Sequence, residues 1–223
     1  MSKHMERDLE RLQKLVLKMA GLVEEAVFHA AQSLQDRDSD MAERVIEGDN
    51  LIDQLENEVL EECLKILALH QPVAVDLRRI SAVILISTDL ERMGDLAYAI
   101  AERALILSHP PFANIPNRLK PMTERTIDMV RRSLDAFVHS NVSVARSVIL
   151  LDDEVDAHNA AIIRELIDEM KTSPDKIEAA LSMFSAVRHV ERIADHATNI
   201  AEDVIYLVYG EIVRHHHEAI RQG

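Results

Sequence analysis

Carboxylates four residues apart recur along this chain: Asp49 with Asp53, Glu91 with Asp95, Asp152 with Asp156, and Glu191 with Asp195. On an α-helix a step of four turns the side chain by only about 40°, so both members of each pair look the same way. The pairs also come in two copies. "ERMGDLAYAIAE" (91–102) is answered at an offset of 100 by "ERIADHATNIAE" (191–202), and "AERVIEGDNLID" (42–53) at an offset of 103 by "ARSVILLDDEVD" (145–156). Each copy thus offers two carboxylate pairs on two consecutive helices, which an antiparallel hairpin would bring face to face. Four such groups repel one another unless a cation lies between them or some take up protons. That is a metal site in outline, and its hard oxygen donors suit magnesium, calcium, manganese or iron, with zinc also admissible. The competing reading, a merely solvated helix face, suits one isolated pair better than two pairs kept through two diverged copies.

The same angular arithmetic sets Glu102 within about 20° of Glu91, and Glu202 on the side of Glu191 and Asp195. Both are expected on the acidic stripe. Met93, Ala97, Ile100, Ala104 and Leu107 fall opposite, as do Ile193, Ala197, Ile200, Val204 and Leu207 in the second copy, so the other side is core. Glu56 extends the Asp49 stripe, and Asn159 stands beside Asp152 and Asp156.

Other chemistry is sparse. No histidine has an acidic residue three positions before it, which disfavours the Glu-x-x-His di-iron enzymes. Glu25 with His29 and Glu154 with His158 read as helix-surface pairs, and His215, His216 and His217 as an exposed tail. No phosphate-binding Gly loop, nucleophile elbow, C-x-x-C or H-E-x-x-H is present. Cys63, the single cysteine, reads as an apolar filler in a reducing compartment. Arg78 and Arg79 could receive an anion or an acidic surface, whereas Arg92 and Arg192 read as partners of neighbouring carboxylates.

The elements that must position these groups are helices. Hydrophobic residues make up 48% and aromatics 3%, with five Gly and no Trp, a composition that favours helix over sheet. Prolines and cap-type residues mark helices at about 5–35, 40–69, 73–107, 121–139, 142–170 and 174–209. "DRDSD" (36–40) and "HSNVS" (139–143) are cap-rich turns, and "TSPDK" (172–176) sets Ser173 before a proline at the first helical position. The expectation is an all-α chain of two tandem three-helix bundles: a first repeat at 1–109, a Pro-rich linker at 110–120, and a second repeat with a C-terminal tail at 121–223. The net charge of −14, without a Lys/Arg block, argues against nucleic acid. The charged N-terminus and short apolar runs predict neither a signal peptide nor a transmembrane segment, and a cytosolic protein.

"DSDMAERVIEGD" (38–49), "QPVAVDLRRI" (71–80), "LERMGDLAYAIAE" (90–102) and "VERIADHATNIAEDVIYLVYGEIVRH" (190–215) give the chain a resemblance to the PhoU family, the phosphate transport system regulatory proteins. The resemblance runs along almost the whole chain. It implies two similar three-helix bundles without enzymatic activity. It also implies a negative regulator, peripheral to the inner membrane, that restrains the high-affinity phosphate ABC transporter and holds the phosphate-sensing histidine kinase in its repressing state. A homodimer is expected. The family's E(D)-x-x-x-D motifs bind metal clusters, and the matching residues are Asp49, Asp53, Glu91 and Asp95, then Asp152, Asp156, Glu191 and Asp195. Iron, zinc, manganese or magnesium ions are the expected occupants. Two departures stand out: Ala194 occupies the place of Gly94, and His70 precedes "QP" where Arg or Lys is common. The alternative reading is a carboxylate-bridged metal enzyme or a metal-storage bundle.

Overall fold

A computed structural model describes residues 3–110 and 114–210. Six helices follow one another: α1 (Lys3–Asp36), α2 (Ser39–His70), α3 (Ala74–Leu107), α4 (Leu119–His139), α5 (Val142–Thr172) and α6 (Ile177–Tyr209). No strand occurs among the described residues. α1, α2 and α3 pack mutually, as do α4, α5 and α6, and the two bundles meet chiefly through α3 against α6.

Helix boundaries follow local chemistry. The Asp38 side chain accepts from Met41 N at 2.9 Å and opens α2, and the Asn141 side chain accepts from Ser143 N and Val144 N to open α5. The first bundle is also tied across: His70, at the end of α2, donates from Nε2 to Asp8 Oδ2 of α1 at 2.9 Å. The expected start of the last helix is corrected. Pro174–Lys176 form a 3-10 turn without a side-chain cap, and the α-helix begins at Ile177.

The core is aliphatic throughout. Met93, Ala97, Ile100, Ala104 and Leu107 are all buried, and so are Ile193, Ala197, Ile200 and Val204, while Leu207 is half-buried. Cys63 is fully buried, and burial together with neighbouring Glu62 pushes its thiol up to about 12, so it is inert.

α3 and α6 run antiparallel. Asp89 of α3 accepts from His196 Nδ1 at 2.7 Å and from Asn199 Nδ2 at 3.2 Å, while the charges nearest His189 of α6 include Glu102 and Arg103. This contact overturns part of the angular argument. Glu202 is only 4% exposed and Glu102 half-buried, so the far ends of both acidic stripes leave solvent. A helical wheel orients residues around one axis and says nothing of where a neighbouring helix crosses it.

Candidate metal centre

Glu91 and Asp95 lie on α3 and Asp49 and Asp53 on the adjacent α2. Carboxylate oxygens of Asp49, Asp53 and Asp95 all fall within 4.8 Å of one another. Asp53 and Asp95 are exposed and Asp49 half-buried, so the cluster opens on solvent. Burial raises the Asp49 carboxyl above its ordinary range, and the charges of Asp53 and Asp95 raise it further. Glu91, half-buried beside the trio, is raised first by burial and then by Asp95. Arg92 is the local counter-charge, at 3.4 Å from Glu91 Oε2 and 3.2 Å from Asp95 Oδ2. A single exposed guanidinium leaves most of that repulsion standing.

Close approach of the two helices depends on Gly94. A Cβ there would lie 3.1 and 3.2 Å from Ile52 side-chain carbons and 3.7 Å from Asp49 Oδ1. The repeat offsets make Val155 and Ala194 the counterparts of Ile52 and Gly94. Ile with Gly and Val with Ala carry the same number of side-chain carbons, so the second copy has moved one methyl from α5 to α6. Overpacking costs about 1–3 kcal/mol and the gain of Ala over Gly in a helix returns about 1. Gly94→Ala is therefore expected to lose about 1 kcal/mol in urea unfolding, and Ile52→Val in the same chain to restore it. Equal losses in the single and double variants would refute the contact.

In the second bundle Asp152 and Asp156 stand on α5, and Glu191 and Asp195 on α6. Arg188 Nη1 donates to Glu191 Oε1 at 2.8 Å, yet Glu191 Oε2 is buried with no hydrogen-bond partner. An orphaned carboxylate oxygen at this depth is costly unless a cation meets it. Partial desolvation, with the charges of Glu191, Asp152 and Asp156, pushes Asp195 up to about 6 although the residue as a whole is exposed. Among the described residues only the first bundle brings three carboxylate oxygens within 4.8 Å of one another; the second shares its oxygen-only donors and their mutual repulsion without that convergence.

That repulsion has a pH signature. The folded value of about 6 for Asp195 exceeds its unfolded value of roughly 3.9, so the group binds a proton on folding between them. Its contribution favours the fold below that range and is lost as pH rises through about 6. His189, lowered by burial and by Arg192 and Arg103, acts in the opposite sense. The difference isolates the carboxylate: Asp195→Asn should raise the melting temperature of chelator-treated protein at pH 7.5 more than at pH 5.5. An identical gain at both pH values would contradict the assignment.

Of the other residues singled out in the sequence, His29 and Glu25 sit 4.0 Å apart as a surface pair. Glu154 pairs instead with Arg125, at 2.8 Å. Arg92 does partner its neighbouring carboxylates, whereas in the second bundle Arg188 meets Glu191 in the corresponding role. The spacing of three between Arg188 and Glu191 was a readable signal for that pair. His215, His216 and His217 lie outside the described residues.

Comparison with known proteins places the chain in a family. The model of the PhoU domain matches twice, over residues 16–104 and 119–204. The phosphate-specific transport system accessory protein PhoU homolog of Aquifex aeolicus is 42% identical over 95% of this chain and 96% of its own. The homolog of the same name from Pseudomonas aeruginosa is 40% identical over 96% of this chain and 89% of its own. The crystal structure of PhoU from Pseudomonas aeruginosa superposes with a TM-score of 0.90, covering 92% of this chain and 99% of that one. That of the phosphate transport system regulatory protein PhoU from Streptococcus pneumoniae, at 31% identity, gives 0.87 over 94% and 99%. Two matches to one domain, full-length relatives and two superposable structures agree: this chain belongs to the PhoU family, with one PhoU domain in each half.

Proposed function

We propose that this protein is a non-enzymatic, cytoplasmic accessory regulator of phosphate uptake whose two carboxylate centres carry metal ions. In this reading Asp49, Asp53, Glu91 and Asp95 hold the ions of one bundle, and Asp152, Asp156, Glu191 and Asp195 those of the other. The observation that carries it is the trio of carboxylate oxygens within 4.8 Å on an open face. Bound cations would supply positive charge and coordination positions that partner oxygens can enter. The chain's own contribution is to fix the carboxylates on paired helices and keep them accessible.

A surface with a net charge of −14 repels other acidic surfaces at a distance. Metal loading reduces that repulsion where it is most concentrated, so docking onto the phosphate ABC transporter and the phosphate-sensing kinase becomes metal-dependent. Membership of the family and the names of the relatives support the transporter as a partner. No helix among the described residues is long and apolar enough to cross a membrane, which is consistent with peripheral attachment through such partners.

The test is complementation in a deletion strain grown with ample phosphate. The parent gene should silence phosphate-starvation genes. A folded, metal-free variant carrying Glu91→Gln, Asp95→Asn, Glu191→Gln and Asp195→Asn should leave them active. Full silencing by that variant would remove metal from the mechanism, and silencing by an empty vector would remove the regulatory role itself.

A further inference from the structure

A cavity of about 370 Å³ opens where α3 begins and α6 ends, with α1 and the end of α4 completing its walls. It is roughly 20 Å along α3 from Glu91, at ~1.5 Å per residue. Both repeats contribute to it. Its floor is hydrocarbon, including Val83, Phe137 and Leu207, and its polar groups include Arg78, Arg79 and Gln13.

Among the described residues no carboxylate pairs with either arginine. Arg78 is half-buried, and its Nε is buried without a hydrogen-bond partner. Its guanidinium lies against the end of α6, where a Cβ on Gly210 would fall 2.6 Å from Nη1. The negative end of that helix favours a cation there but supplies only a partial charge. Arg79 donates from Nη2 to Gln13 Oε1 at 3.2 Å, a neutral acceptor. Among the described residues neither guanidinium forms an ion pair. At the repeat offset of 100 the counterparts are Glu178 and Ala179, so the cationic pair belongs to one end of the molecule only. Two adjacent, half-buried guanidiniums in a strongly acidic protein have the charge and fork geometry that suit an oxyanion.

We propose that this cavity binds a small amphiphilic oxyanion, a phosphoryl or carboxyl head held by Arg78 and Arg79 with a hydrocarbon body on the apolar wall. The planar forks match two-oxygen heads. A free inorganic ion would satisfy the arginines and leave the hydrocarbon wall wet, which is why the ligand carries an apolar part. The volume suits the lower end of the range for small-molecule sites. The head-group chemistry is shared by free organic anions and by anionic lipids, and the experiment separates them.

Full-length protein is titrated by calorimetry with monomeric octyl phosphate, octanol and inorganic phosphate, and by flotation with vesicles of phosphatidylglycerol. Octyl phosphate should bind one to one, about tenfold or more tighter than either octanol or phosphate alone, and weaken with salt. Arg79→Gln should cost about tenfold, and Arg78→Gln with Arg79→Gln should abolish binding, with unchanged helical circular dichroism. In the parent protein, methyl resonances of Val83 and Leu207 should shift with octyl phosphate, a readout that needs no variant. Arg-dependent flotation in addition assigns the head to a lipid, and its absence assigns it to a free organic anion; both support the cavity. Octyl phosphate binding no better than octanol, equal binding by the double variant, or unmoved methyl resonances would overturn it.

Discussion

Chelator-treated protein in which Asp49, Asp53 and Asp95 are changed to Asn and Glu91 to Gln should melt at a higher temperature than the parent, and should no longer gain from added metal at that bundle. The first effect follows from the crowding of carboxylate oxygens within 4.8 Å, whose repulsion the isosteric amides remove. The second follows because ligating carboxylates must be ionised, which an amide never is. With metal at about a hundred times its dissociation constant the parent gains about 2.7 kcal/mol per independent site, and the variant should forgo that of the first bundle while keeping that of the second. Elemental analysis would count the ions alongside the melting curves. A variant that melts lower without metal would mean that these carboxylates serve the fold, and undiminished metal content would place the ions elsewhere.

The second large effect concerns the joint between bundles. Asp89 is 8% exposed and its carboxylate accepts from both His196 and Asn199 across the α3–α6 contact. Asp89→Ala leaves two half-buried donors unanswered, and hydrogen bonds to a charged group are worth about 1.5–3 kcal/mol each. A loss of about 3 kcal/mol is expected in urea unfolding, with a smaller m-value if the bundles then open separately. Asp89→Asn keeps an acceptor oxygen and should recover about half. A loss of less than about 0.5 kcal/mol for Asp89→Ala would show that aliphatic packing alone holds the joint.

The sequence was most informative where one helix suffices. The turns that open α2 and α5 are legible as the cap-rich stretches 36–40 and 139–143, within which the structure picks Asp38 and Asn141, and the buried identity of Met93, Ile100, Ile193 and Ile200 follows from spacing alone. Membership of the family was equally legible, because four ordered blocks carry it. What needs two helices was only partly readable. The duplicated pairs announced that α2 should face α3, yet nothing in the pattern said that α6 would cross α3 and bury Glu202. Nor could it reveal that His196, beside Asp195 in the chain, turns to Asp89 of the other bundle. The 3-10 turn at Pro174–Lys176 escaped for a different reason: Ser before Pro marks a helix entry without distinguishing a three-residue turn from the α-helix behind it.

The displaced methyl between Ile52–Gly94 and Val155–Ala194 also constrains how the two halves parted after duplication. Going from either pair to the other takes two substitutions, and only two orders are open. One passes through isoleucine with alanine, which the contact at 3.1 Å resists. The other passes through valine with glycine, which leaves a gap of one methyl at about 0.5–1.5 kcal/mol. Each crossing thus costs about 1 kcal/mol, so whichever order was taken the halves parted through an intermediate destabilised by about that much at the joint beside the acidic cluster.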